Sequence, residues 1–218
     1  MVKGENLPKW RRRKDARPAE IVEAALDAFA ERGFAATRLE DVAARAGISK
    51  GTLYLYFENK EELFKAVIQQ ALLPNLAAAE ARIAQSEATT VDLLREVIGG
   101  FMAAVVGTKL VAIPKLIIGE AHNFPDVTRF YSEEVSTRGL RIVGAILQRG
   151  IARGEIRAVD PALAAPTIVG PLLLLILWKS VLEPHAVMKI DPEKFLQTYA
   201  DILLNGLLQQ PMREDEKP

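Results

Sequence analysis

The stretch LEDVAARAGISKGTLYLYFENKEEL, residues 39–63, leaves the chain few folds to choose from. Leu39, Val42, Ala43 and Ala46 recur at spacings of three and four, the period of one helical face. Gly47 then ends that helix in the left-handed conformation that glycine tolerates, Ile48 fills the corner, and Ser49 caps a second, short helix. Thr37 with Glu40, and Asn59 with Glu62, have the spacing of capping boxes for the first helix and for the one that follows the short one. Helix, tight turn and helix therefore succeed one another, and Gly51, Tyr54, Tyr56 and Lys60 are crowded around the second.

The rest of the chain continues in helices and carries almost no strand signal. A first helix is predicted from Pro18, with Ile21, Val22, Ala25, Leu26, Ala28 and Phe29 on one side, stopping at Gly33. After Asn59 a long amphipathic helix runs through Leu63, Phe64, Val67, Ile68, Ala71 and Leu72, with a bend at Pro74. Helices are predicted over 91–106, 114–122 and 127–153, the second closed by Asn-Phe-Pro-Asp and the third ending at Gly154. Asp160-Pro161 and Asp191-Pro192 repeat one start signal, an N-cap followed by proline, and open helices over about 161–183 and 192–208. The expected fold is all-α, with about nine helices in four segments: a basic arm (1–17), a helix-turn-helix domain (18–64), a larger helical domain (65–210) and a polar tail (211–218).

Charge distribution carries more than the net charge of zero. Residues 1–17 hold seven Lys and Arg against Glu5 and Asp15, a balance of +5, so the remaining residues sum to −5. A basic arm on a mildly acidic body suits a protein that grips a polyanion at one end. Arg11, Arg12 and Arg13 either enter a DNA groove or form a solvated tail. The absence of cysteine removes disulfides and thiolate chemistry, and the basic N-terminus is followed by no apolar run, so a cytoplasmic location is expected. Residues 162–178 lack charge, but Pro166, Gly170 and Pro171 interrupt a run that is short for a membrane span. Burial in a core or between subunits is the expectation, and no membrane partner is.

Nothing assembles an active site. There is no Gly-rich phosphate loop, no Gly-x-Ser-x-Gly, and only two histidines, His122 and His185, without a second ligand at helical spacing. Neither a metal site nor a cofactor is expected.

In a helix-turn-helix unit the second helix lies in the major groove while neighbouring groups hold phosphates. Placing Lys50 to Tyr56 there turns Leu53 and Phe57 inward and Gly51, Tyr54 and Leu55 outward. Glycine lets the backbone approach DNA, the hydroxyls of Tyr54, Tyr56, Thr52 and Ser49 can donate to phosphates, and Leu55 suits a thymine methyl. Lys60, in the first turn of a helix, suits a phosphate brought to that helix end.

Residues 18–68, and above all TRLEDVAARAGISKGTLYLYFENKEELF, resemble the DNA-binding domain of the TetR family of bacterial transcriptional regulators. The resemblance covers about a quarter of the chain. It implies three DNA-binding helices followed by six in a regulatory and dimerisation domain, a homodimer on double-stranded operator DNA, and repression relieved by a small-molecule effector. It also implies that Thr37, Lys50, Gly51, Thr52, Tyr54, Leu55, Tyr56 and Lys60 face DNA. Phe101, Met102, Phe130 and Trp178 are candidates for an effector pocket, with plain packing as their alternative. Leu173, Leu174, Leu177, Phe195, Tyr199, Ile202 and Leu203 exceed the needs of one subunit's core and are expected at the dimer interface. A regulator of this family that binds DNA or a partner protein without any small-molecule switch is the alternative function.

Overall fold

A computed structural model of the chain describes residues 9–105 and 107–208. Its described residues are helical throughout apart from turns, loops and a single antiparallel bridge between Ile156 and Leu208. The chain divides into two compact units, one of residues 1–74 and 116–131, the other of residues 75–115 and 132–218. The arm before Lys9 and the tail 211–218 lie outside the described residues.

The first unit is built from α1 (Lys9–Arg32), α2 (Leu39–Arg45), α3 (Lys50–Tyr54), α4 (Lys60–Ala71), the end of α7 (Ala112–Glu120) and α8 (Pro125–Tyr131). Helix α1 starts well before the expected Pro18, which lies inside it. A proline there removes one amide donor and usually breaks a helix. Ile21, Val22, Ala25, Ala28 and Phe29 of α1 are buried with Val42 and Ala43 of α2, Leu53 of α3, and Leu63, Phe64, Val67 and Ile68 of α4. Phe29, Phe34 and Phe64 form a triangle with ring centroids 5.0–5.3 Å apart. Phe124 adds a fourth ring against Phe34, and this aromatic packing brings residues 116–131 into a unit that the sequence reading had cut at residue 64.

The expected box of Thr37 and Glu40 does not form. The cap of α2 is Arg38, with no side-chain bond, because the Thr37 hydroxyl reaches back to the carbonyl oxygens of Gly33 (2.6 Å) and Ala28 (3.2 Å). Ala28 lies near the end of α1 and Gly33 in the turn after it, so the hydroxyl ties the loop back to the helix that precedes it.

The second unit holds α5 (Leu73–Gln85) from Asn75 on, α6 (Thr90–Val105), the beginning of α7, α9 (Thr137–Ala152), α10 (Pro161–Leu177) and α11 (Pro192–Leu207). Leu93, Leu94, Ile98 and Met102 of α6 pack with Ile142, Val143, Ile146 and Leu147 of α9, Ile168, Leu172 and Leu175 of α10, and Leu204 and Leu207 of α11. Asp160 caps α10 through Ala162 N–H, and Asp191 caps α11 through Glu193 and Lys194 N–H, as their sequence signals predict. Pro166 and Pro171 do not break α10, and the helix runs through both, as the predicted span 161–183 requires. Each removes an amide donor, and the burial of Ala165, Ile168, Leu172, Leu175 and Ile176 offsets the loss.

Two long predicted helices are subdivided. A break at Leu72, two places before Pro74, separates α4 from α5, and a π-helical turn over Ser132–Ser136 separates α8 from α9. Counting α4 with α5 and α8 with α9 once each, the described residues hold nine helices, three in the helix-turn-helix region and six after it.

Candidate nucleic-acid interface

The short helix α3 is defined locally at both ends. Before it, Gly47 takes φ +65°, and Ile48 N–H bonds to Ala43 O at 3.0 Å, closing α2 as a left-handed glycine cap does. Ser49 Oγ then accepts Thr52 N–H at 3.1 Å and lies 2.8 Å from Thr52 Oγ1, so both hydroxyls shape the start of the helix. Such a cap contributes about 1 kcal/mol. At the other end α3 stops at Tyr54, two residues short of the predicted span, and Tyr56 and Phe57 N–H both bond to Leu53 O.

With Leu53 fully buried, rotation of the helix is settled. Ser49, Lys50, Gly51, Tyr54 and Leu55 are exposed, Leu55 to 82 %, while Thr52, Tyr56 and Phe57 are half-buried. A Cβ built on Gly51 would meet only Ser49 Oγ, at 3.8 Å. Among the described residues nothing requires glycine at that place.

Lys50 is held on this surface. Its ammonium pairs with Glu40 on α2 and stands 5.7 Å from the centre of the Tyr54 ring. The hydrogen bond with Lys50 lowers the Glu40 pKa below the ordinary carboxylate value, and reciprocally raises that of Lys50. Sequence reading assigned Glu40 to a cap and missed this pair, which joins residues ten apart across the turn.

Two expected DNA contacts are turned inward. The Thr37 side chain is 2 % exposed, its hydroxyl spent on Gly33 and Ala28. Lys60 donates to three carbonyl oxygens, those of Phe34 (2.8 Å), Ala35 (3.0 Å) and Thr37 (3.2 Å). An ammonium has three N–H bonds, so a phosphate could reach Lys60 only by displacing one of these. Lys60 also lies over the rings of Phe34 (4.6 Å) and Phe124 (5.8 Å). Burial pulls its pKa below the ordinary lysine value, against the opposing pull of Glu61 and Glu120. No local signal in the sequence pairs Lys60 with Phe124.

The backbone of Arg11, Arg12 and Arg13 is helical, and their side chains lie outside those described. Of the pocket candidates, Met102 is a core residue beside Ile98, Phe101 is exposed, and Trp178 is half-buried with its Nε1 buried and without a hydrogen-bond partner among the described residues. Phe130 belongs to the first unit, so these residues do not form one cluster within either unit. Of the interface candidates, Phe195, Tyr199 and Leu203 pack against the second unit's own core, and the Tyr199 hydroxyl donates to Ile168 O. These three are thus partly spent within the chain. Leu174 and Ile202 remain outside at 54 % and 68 % exposure, and Leu173 and Leu177 are half-buried.

Known proteins match this architecture in both halves. Residues 21–67 match the model of bacterial regulatory proteins of the tetR family, and residues 92–201 match the C-terminal domain of AefR-like transcriptional repressors. The fatty acid metabolism regulator protein of Bacillus subtilis is 30% identical over 162 residues, covering 73% of this chain and 82% of that protein. The regulator TtgR of Pseudomonas putida is 28% identical over 193 residues, covering 85% and 90% of the two chains. Among solved structures, the transcriptional regulator FadR of Bacillus subtilis, crystallised with stearoyl-CoA, superposes with a TM-score of 0.74 at 25% identity, covering 86% of this chain and 98% of that one. The chain belongs to the TetR family of bacterial transcriptional regulators, DNA-binding proteins rather than enzymes, and its helix-turn-helix is the family's DNA-binding element.

Proposed function

We propose that this regulator is a repressor that binds a near-palindromic operator as a homodimer in the cytoplasm and is released by a small molecule. The observation that carries the DNA-binding part is the outer face of α3, where Lys50, Gly51, Tyr54 and Leu55 stand exposed while Leu53 anchors the helix. An exposed leucine beside an unfilled glycine gains nothing in water, and both suit a backbone pressed into a major groove with a thymine methyl at its floor. Ser49, Thr52, Tyr54 and Tyr56 supply phosphate donors, and the Arg11–Arg13 segment adds charge at the start of α1.

Dimerisation through α10 and α11 is supported by surplus apolar surface. The helical run Pro161–His185 is long and apolar enough to cross a membrane by length and composition, yet 28% of its most apolar window is buried within the chain. A second copy packed on Leu174 and Ile202 would cover that surface and set two heads on successive major grooves, about 34–36 Å or a multiple apart.

Two relatives direct the choice of effector. One is named a fatty acid metabolism regulator, and the FadR structure contains stearoyl-CoA. We therefore take a long-chain acyl thioester as the effector class for this chain. It would act by binding one spacing of the heads more tightly than the other. The test is operator binding by fluorescence anisotropy, with a palindrome near the chain's own gene as probe, against stearoyl-CoA, a short-chain acyl-CoA and free coenzyme A. Release by stearoyl-CoA at concentrations that spare random DNA complexes supports the proposal. Tight operator binding untouched by all three, and by the hits of a metabolite thermal-shift screen, would establish a regulator without a small-molecule switch.

A further inference from the structure

Glu40 places a carboxylate on the face that approaches DNA, where like charge opposes the phosphates. Its pair with Lys50 is half exposed on both sides, and an exposed pair contributes little to folding. Neither residue belongs to the core of the first unit. What the carboxylate changes is the freedom of Lys50.

A lysine ammonium is a point charge on a flexible stem, and unrestrained it takes any phosphate within reach. Here Glu40 occupies one of its donors and the Tyr54 ring lies to one side, 5.7 Å away. Two N–H groups remain, at the start of α3, the part of a recognition helix that meets base edges. In the major groove, guanine offers O6 and N7 together as an acceptor pair that lysine fits.

We infer that Glu40 is a specificity-determining residue: it tethers Lys50, keeps that charge off the phosphates of random DNA, and presents its free N–H groups to a guanine edge in the operator. The inference rests on α3 being the groove-facing helix. Without the tether Lys50 would bind phosphate wherever α3 lands, so affinity would rise on every sequence and discrimination would fall.

The experiment measures binding of the full-length protein to operator and to random duplex at several salt concentrations, for wild type, Glu40→Gln, Lys50→Gln and the double variant. Glu40→Gln should strengthen random binding about three- to tenfold and steepen its log K against log salt slope by about 0.9 per subunit, one new phosphate contact. Operator affinity should change less, so the operator-to-random ratio falls. In the Lys50→Gln background the Glu40 change should have no effect on the slope. Glu40→Ala, which removes the carboxylate by another route, should give the same pattern, and unchanged melting shows that each variant is folded.

A Glu40→Gln effect that persists without Lys50 means that the carboxylate merely repels DNA, and overturns the tether. Weakened operator binding with unchanged random binding means that Glu40 itself reads a base, and overturns it too. So does no change on either DNA while Lys50→Gln weakens binding, which leaves the placement of α3 standing. If Lys50→Gln and Tyr54→Ala both bind normally, the placement of α3 is wrong and the tether falls with it.

Discussion

Phe124 meets Phe34 edge to face, with ring centroids 4.6 Å apart and planes at 83°, and Lys60 lies over both rings. Phe34 follows α1 and Phe124 precedes α8, so this contact ties residues 116–131 to the helix-turn-helix core. Lys60 completes it by satisfying three carbonyls of the loop between α1 and α2.

Removing the ammonium should therefore cost stability. Lys60→Met is expected to destabilise the first unit by about 1.5–3 kcal/mol, the value of hydrogen bonds to a charged donor. Phe124→Ala should cost about 2–4 kcal/mol through the lost ring contacts and the void left behind. Calorimetric unfolding measures both, and variants that melt with the wild type would show that the cluster contributes no stability.

Gly150 packs against α6 so closely that a Cβ would lie 2.4 Å from Thr90 Oγ1 and 2.7 Å from Thr90 Cγ2. Thr90 cannot easily move, because it is buried and its N–H is held by Glu155. Gly150→Ala should cost about 1–3 kcal/mol by overpacking. On the same helix Gly144 has open space around its Cβ position, and Gly144→Ala should be neutral or stabilising by up to about 1 kcal/mol. Equal melting of the two variants in urea would contradict this packing.

Tyr199 sets an alkaline limit on the second unit. Burial pushes its phenol from the ordinary 10.0 up to about 12, and the neutral hydroxyl donates to Ile168 O. Because the folded value is raised, the unfolded chain releases this proton first. The stability contributed is complete below pH 10, and declines as pH rises through the interval up to about 12. Tyr199→Phe should flatten the pH dependence of melting in that interval, and a variant whose melting falls as steeply as the wild type's would show that other groups control it.

Subunit association should depend on the exposed part of the last two helices. Ile202 is a better probe than Leu203, which is half-buried against its own core. Ile202→Glu should place two like charges at the proposed interface and give monomers in light scattering, with the fold intact by circular dichroism. A stable dimer would move the interface elsewhere.

The local features of this fold were legible and the long-range ones were not. Gly47, Ser49, Asn59, Asp160 and Asp191 each act on backbone groups within a few residues, so their spacing reveals a turn or a cap, and the structure forms all five. Thr37 misled because its hydroxyl has two possible customers, the start of α2 and the end of α1, and only the tertiary turn decides between them. Lys60 misled for a similar reason, since its position in a first helical turn suggested an anion while three loop carbonyls surround it in space. The Asp160-Pro161 signal was enough to place α10 through Pro166 and Pro171, because the packing of its apolar residues offsets the two lost amide donors. At the DNA-facing helix, the inward turn of Leu53 followed from period alone, whereas the Glu40–Lys50 pair needed the actual angle between α2 and α3.

The most direct test of the account is operator binding by Gly51→Ala and Tyr54→Ala together with their melting curves. Gly51 sits in a helix with room for a methyl group, so Gly51→Ala should stabilise the free protein by about 0.5–1 kcal/mol. It should nonetheless weaken operator binding, since the methyl group holds the backbone off DNA. Tyr54→Ala should lose several-fold to a hundredfold in affinity, about 1–3 kcal/mol, while remaining folded. Wild-type operator affinity in both folded variants would contradict the assignment of α3 as the helix that reads DNA.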